Sequence, residues 1–164
     1  MSENEEITVA AFGGLDLAAA EALHASCFPA AWDRPWDRQS FAETMAMPGA
    51  FGLKASRDGA MLGLLVARVA ADEAEILTVG VDPAQRRLGI GGRLIEAARA
   101  EAASRGARRL HLEVAEDNFA ARRLYADLGF APVGRRPGYY ERGSLGAIAA
   151  LLLACELGRA SDGR

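Results

Sequence analysis

Val79-Gly80-Val81-Asp82-Pro83-Ala84-Gln85-Arg86-Arg87-Leu88-Gly89-Ile90-Gly91-Gly92-Arg93-Leu94 is the stretch whose reading decides the fold. An apolar strand ends at Asp82-Pro83, a short basic loop follows, and Gly89, Gly91 and Gly92 open a helix. That order presents free backbone N–H groups at a helix N-terminus, backed by the positive end of the helix dipole. Glycine lets a ligand approach the backbone with no Cβ in the way. Arg86 and Arg87 can pair with phosphate oxygens. The expected ligand is a phosphate-bearing cofactor.

Two common phosphate loops are excluded. A Walker A loop needs a Lys after its last glycine, and none follows here; the dinucleotide fingerprint needs a third glycine where Leu94 stands. What remains is R-x-x-G-x-G, on Arg86, Gly89 and Gly91. On the loop alone, a plain glycine-rich turn between strand and helix stays open as an alternative.

Outward from this stretch, residues 73–81 read as the strand that feeds the loop and residues 89–105 as the helix that follows, closed by Gly106. Its inner stripe is Ile90, Leu94, Ala97, Ala98 and Glu101. Residues 108–115 alternate: Leu110, Leu112 and Val114 on one face, His111, Glu113 and Ala115 on the other. Residues 118–128 form a helix with Asn118 or Asp117 as its cap, and residues 130–139 and 147–157 form two last strands. Upstream, residues 6–12 read as a strand and residues 15–27 as a helix with Leu15, Ala19 or Ala22, and Leu23 on one stripe. Asp37 caps a helix over 38–47. Asp58-Gly59 joins strands 51–57 and 61–71 as a hairpin. The order is β-α-α-β-β-β-α-β-α-β-β, and residues 1–5 and 158–164 are expected to fray.

The 164 residues suit one domain over 1–164, with enough apolar side chains for a real core. A net charge of −3 argues against a surface that coats nucleic acid. Lys54 is the only lysine, and the arginine pairs are scattered along the chain as solvated surface. Cys27 and Cys155 form no C-x-x-C, which points to a reducing, cytoplasmic setting. No signal peptide is read, and the apolar run 147–155 is too short to span a bilayer, so no membrane partner is expected. No His/Cys/Asp cluster has metal-ligand spacing, so no metal is expected either.

A second block, Leu112-Glu113-Val114-Ala115-Glu116-Asp117-Asn118-Phe119-Ala120-Ala121-Arg122-Arg123-Leu124-Tyr125-Ala126-Asp127-Leu128-Gly129-Phe130, is more specific than the loop. With the loop and the element order, it resembles the Gcn5-related N-acetyltransferases (GNAT), and within them the bacterial ribosomal-protein-alanine enzymes of the RimI type. Asp72-Glu73-Ala74-Glu75-Ile76-Leu77, Cys27-Phe28-Pro29 and Arg136-Pro137-Gly138-Tyr139-Tyr140 match that subfamily too. The resemblance implies an α/β (α+β) GNAT fold: a mixed central sheet of about seven strands with helices on both faces. It implies that the fourth and fifth strands splay and that acetyl-CoA lies between them. The pantetheine would pair with Val79, Gly80 and Val81, and the pyrophosphate would sit on Arg87, Leu88, Gly89, Ile90, Gly91 and Gly92 beside Arg86. A backbone N–H near Val81 could polarise the thioester carbonyl. Gly80 is a mild departure from the family's usual Ala. By composition alone, Val79, Gly80 and Val81 also fit an ordinary strand end.

Acetyl transfer needs a base for the amine and an acid for the departing thiolate. Glu113 matches the family's base position and Tyr125 its acid; Asn118 matches a cofactor-contacting residue. Leu112 and Val114 suggest a largely apolar surround for Glu113. By composition alone Glu113 reads as a solvated or salt-bridged strand carboxylate, Tyr125 also fits a core tyrosine, and Asn118 a helix cap that could serve both roles. His111 is a fallback base, more simply an ordinary strand histidine, and His24 reads as surface or groove lining. Phe28, Trp32, Trp36, Tyr139 and Tyr140 could line a groove for a peptide N-terminus, or pack a loop onto the core. Gly146-Ala147 replaces the family's usual Asp-Ala pair, which bears on acceptor specificity.

The implied activity is acetyl-CoA-dependent acetylation of a protein N-terminal α-amine, with the N-terminal Ala of a small-subunit ribosomal protein as acceptor. The alternatives are an acetyltransferase for a small-molecule amine and a non-catalytic acyl-CoA-binding module; retention of Glu113 and Tyr125 argues against the last. No direct nucleic-acid contact is expected, and the expected state is a monomer or weak dimer.

Overall fold

In the computed structural model, which describes residues 6–158, the elements are β1 (Thr8–Ala11), α1 (Leu17–Cys27), α2 (Arg38–Met45), β2 (Ala50–Arg57), β3 (Ala60–Ala70), β4 (Glu73–Val81), α3 (Ile90–Ser104), β5 (Arg109–Ala115), α4 (Phe119–Asp127), β6 (Ala131–Glu141) and β7 (Ala147–Glu156). Short 3-10 turns occupy Gly14–Asp16, Pro83–Gln85 and Gly143–Leu145. The order of strands and helices is the one the sequence predicts. The expected fraying of 1–5 and 158–164 falls, Gly158 apart, outside the described residues.

The strands form one seven-stranded sheet in the order β1-β2-β3-β4-β5-β7-β6. Local chemistry explains its first half. Asp58 and Gly59 both take positive φ (55° and 76°), as a tight two-residue hairpin between right-twisted strands requires. β7, the apolar run, lies between β5 and β6 and is paired on both edges. Helices cover both faces. One core joins α3 and Tyr125 of α4 to Leu65, Ile76, Leu110, Leu112 and Val114. The other joins α1 and α2, through Ala20, Leu23 and Phe41, to Leu64 and Val66 of β3.

Two helix stripes and one helix end differ in detail from the sequence reading. Leu15 is fully exposed at 103%. Residues Gly14–Asp16 form a 3-10 turn, so the α-helical phase starts only at Leu17 and the buried residues become Ala20, Leu23 and His24. In α3 the buried stripe is Ile90, Leu94, Ile95, Ala98 and Ala102, in place of Ala97 and Glu101. Glu101 instead pairs with Arg105 one turn on, at 2.8 Å. In α2 the helix stops at Met45, short of the expected Met47.

The feature that makes a site is the pairing of β4 with β5. These strands are parallel and in register only at Glu73 with Arg109, Ala74 with Leu110, and Glu75 with His111. Beyond Glu75 they part. β4 therefore presents an unpaired edge from Ile76 to Val81 in the middle of the sheet, where backbone N–H and C=O groups need a partner.

Candidate active site

The gap between β4 and β5 opens into a cavity of about 540 Å³. Ile76, Leu77, Thr78 and Val79 form one wall, and Leu112, Glu113, Val114 and Ala115 the other. Asn118 and Tyr125 reach it from α4 and its cap, and the aromatics Phe28, Trp32, Trp36, Tyr139 and Tyr140 line it as well. The cavity thus brings together Val79, Glu113, Asn118 and Tyr125 with all five aromatics expected on the acceptor side, Trp36 included.

Gly80, Val81, Arg86, Arg87, Leu88, Gly89, Ile90, Gly91 and Gly92 are not on its lining. They continue from the C-terminal end of the same β4 edge into the N-terminus of α3. There Gly89 caps the helix in the left-handed region (φ 75°, ψ 12°), and Arg87 also has positive φ, 67°. The first helical hydrogen bond of α3 runs from Arg93 N–H to Gly89 C=O at 3.1 Å, so the N–H groups just before Arg93 have no acceptor within the helix. A Cβ built at Gly89 or Gly92 would meet nothing within 4 Å, so the backbone there faces open space. A row of donors with clear approach suits a pyrophosphate. An unpaired strand edge leading to it suits the amides of a pantetheine arm.

Gly80 has a structural reason. A Cβ at this position would stand 2.9 Å from Cys27 Sγ, which itself donates to Val81 C=O at 3.3 Å. The close approach there is by the end of α1. Burial pushes the Cys27 thiol up from its ordinary value, so it stays protonated as that donor.

Glu113 corrects one expectation. Its neighbours Leu112 and Val114 are buried in the core, but strand alternation turns them to the opposite face. The Glu113 carboxylate meets Arg136 of β6 instead, Oε1 to Nη2 at 3.2 Å. His111 shares its face but pairs with Glu73 (3.2 Å) and faces a separate surface hollow, not the cavity between the strands. Tyr125 is 7% exposed and packs edge-to-face on Phe130 with centroids 5.9 Å apart. Burial, with Tyr140 nearby, pushes its hydroxyl up to about 12. Asn118 caps α4, its side chain accepting from Ala121 N–H at 3.2 Å, and lines the cavity as well.

Residues 17–130 match the acetyltransferase (GNAT) family. The chain is a GNAT acetyltransferase. It is 34% identical over 144 residues to N-alpha-acetyltransferase RimI of Mycobacterium tuberculosis, covering 85% of this chain and 88% of that one. The crystal structure of the ribosomal-protein-S18-alanine N-acetyltransferase of Escherichia coli superposes with a TM-score of 0.84 at 29% identity, over 97% of this chain and 99% of that one. The Salmonella typhimurium protein yncA, solved with its cofactor acetyl-CoA, shares the fold, with a TM-score of 0.78 at 21% identity over 97% of this chain and 98% of that one.

Several residues of this acetyltransferase site escape a reading of the sequence. Arg142 lies over the rings of Trp32 (5.8 Å) and Tyr140 (5.3 Å) and reaches Asp117 at 3.4 Å, so it ties the α1–α2 loop to β6 across the cavity mouth. His24 is buried at 4% exposure. It lines the cavity, as one expectation held, but within the core and not at the surface. It stacks on Trp36, centroids 5.5 Å apart, and packs at a tilt against Phe28, centroids 4.6 Å apart. The sequence assigns no role at the site to Arg136 or Arg142, because Arg136 arrives through the long-range pairing of β6 with β7 and Arg142 through the turn that follows β6. Gly146 has φ 82° and ψ −161°, a conformation reserved for glycine, which explains why the loop departs from Asp there.

Proposed function

We propose that this acetyltransferase moves the acetyl group of acetyl-CoA onto the α-amine of a protein N-terminus, with the N-terminal Ala of a small-subunit ribosomal protein as acceptor. The observation that carries the reading is the parting of β4 from β5, with Glu113 and Tyr125 both on the walls of the gap. The choice of acceptor is supported by what the M. tuberculosis and E. coli relatives are called.

Val79, Gly80 and Val81 hold the pantetheine as an added strand, with Asn118 at its side. The N–H groups of Arg87, Leu88, Gly89, Ile90, Gly91 and Gly92 hold the pyrophosphate, with Arg86 beside them. When bound, acetyl-CoA supplies an activated acyl carbon and a thiol leaving group. Glu113 receives the proton that the attacking amine must lose, and Arg136, 3.2 Å away, orients that carboxylate. Tyr125, with its hydroxyl pushed up to about 12, holds its proton at neutral pH and delivers it to the departing sulfur. Phe28, Trp32, Tyr139 and Tyr140 surround the first residues of the acceptor. Residues 1–164 work as one cytoplasmic catalytic domain, and acetyl-CoA is the one cofactor this reading requires.

An α-amine suits such a site because it titrates near 8 and a lysine side chain near 10, so its neutral fraction at pH 7 is more than about a hundredfold larger. The test is incubation with acetyl-CoA, a peptide carrying a free N-terminal Ala, and a set of small amines, followed by thiol release and mass spectrometry. Acetyl groups on the Ala terminus are expected. Acetyl groups on lysine side chains or small amines, with that terminus untouched, would overturn the reading.

A further inference from the structure

β4 carries a bulge at the cavity wall. Its register with β3 runs Val66 with Thr78 and then Ala67 with Ile76, which leaves Leu77 as the extra residue. Ala74 and Ile76 point into the core beneath α3. Simple alternation would send Thr78 there too. The bulge turns it to the other face, toward α1. Leu77 packs in the α1–α2 core, and the Thr78 hydroxyl meets His24 of α1.

The hydrogen bonds of His24 determine what that hydroxyl can do. Nδ1 lies 2.9 Å from the backbone N–H of Trp36, which can only donate, so Nδ1 is the acceptor nitrogen. The proton of the neutral ring is then on Nε2, 2.8 Å from Thr78 Oγ1. Burial lowers the pKa of this ring to about 4, so it stays neutral through the physiological range. Thr78 Oγ1 therefore accepts from His24, and its own hydrogen is left to donate. His24 is the only side-chain hydrogen-bond partner of Thr78 among the described residues, and Thr78 lines the same cavity as Glu113 and Tyr125.

We infer that Thr78, oriented by His24, binds the acceptor by donating its hydroxyl hydrogen to the carbonyl oxygen of the acceptor's first residue. This rests on the N-terminal reading above and names the feature by which the site recognises a peptide rather than a bare amine. A donor beside a reacting amine is productive only toward a group other than the amine nitrogen, whose lone pair must stay free to attack. In a peptide N-terminus the nearest strong acceptor is the first carbonyl oxygen, attached one carbon away from the carbon that bears the amine. Thr78 is here a specificity residue and His24 a positioning residue.

The test compares wild type, Thr78→Val and Thr78→Ser on two acceptors: an alanyl peptide, and the same peptide with its first carbonyl reduced to CH2. Valine keeps the shape and deletes the hydroxyl; serine keeps the hydroxyl. Loss of one neutral hydrogen bond predicts that Thr78→Val lowers kcat/KM for the alanyl peptide about 5- to 10-fold, mainly through KM. The reduced peptide should lose less than about twofold, Thr78→Ser should recover most of the deficit, and acetyl-CoA affinity should match wild type in both variants; the Tm of Thr78→Val falls, because the buried His24 Nε2–H loses its acceptor, while that of Thr78→Ser stays near wild type. Equal losses on both acceptors, or no loss on either, would overturn the inference while leaving N-terminal acetylation intact. A wild-type enzyme that acetylates no alanyl peptide would overturn the N-terminal reading itself, and this inference with it.

Discussion

His24 makes a prediction about stability that is independent of catalysis. In the unfolded chain its ring titrates near the ordinary 6.5; in the native protein burial lowers that to about 4. A protonated ring would also turn an N–H of Nδ1 against the Trp36 N–H, a donor facing a donor. Between those two values the unfolded state binds more protons than the native state, so stability falls as the pH falls. The contribution is complete above about pH 6.5 and lost once the pH passes below about 4. A separation of roughly 2.5 units is worth about 3 kcal/mol at most, and about 2 once solvent reaching the cavity side of the ring is discounted. The assay is urea unfolding of wild type and His24→Gln from pH 7.5 to 3.5. Glutamine does not titrate, so the difference between the two proteins isolates the ring from every carboxylate that also titrates there. That difference is expected to shrink by about 2 to 3 kcal/mol between pH 7 and pH 4, against wild type. Parallel curves would show that the ring does not titrate in this window and would refute the burial argument.

Glu113→Gln is expected to lower turnover by about 10²–10⁴ near neutral pH with acetyl-CoA affinity almost unchanged, read by thiol release and calorimetry; wild-type turnover would remove Glu113 from the reaction and bring His111 into question. Tyr125→Phe keeps the ring that packs on Phe130 and deletes only the hydroxyl. A Tm close to wild type with markedly slower acetyl transfer is expected, and full activity would make Tyr125 a core residue only. Gly89→Asp and Gly91→Asp should abolish acetyl-CoA binding. The first puts a side chain at φ 75°, the second puts a Cβ 3.3 Å from Leu124 Cδ2, and both bring a carboxylate to the phosphate loop. Unchanged calorimetric affinity in both variants would show that pyrophosphate is held elsewhere.

What the sequence determines by itself is whatever depends on neighbours along the chain. The Asp58-Gly59 hairpin, the alternation of β5, the Asn118 cap and the strand–loop–helix around Gly89 all follow from local conformational preferences, so they are legible residue by residue. The candidates Val79, Glu113, Asn118 and Tyr125 are legible only through the family resemblance that their segments carry, and the cavity brings them together. Only the tertiary structure decides what surrounds them. Arg136 reaches Glu113 through the pairing of β5 with β7 and of β7 with β6, contacts that span more than one strand and leave no local trace. Leu112 and Val114 suggest an apolar carboxylate only when the chain is read in one dimension, because the pleat sends neighbours to opposite faces. The bulge at Leu77 reverses the facing of Thr78, and no period-two pattern announces it. The ring of His24 is buried because Phe28, Trp36 and Phe41 close around it from three directions. Short-range preferences choose the elements; long-range packing chooses which polar groups are left facing one another across the gap between β4 and β5.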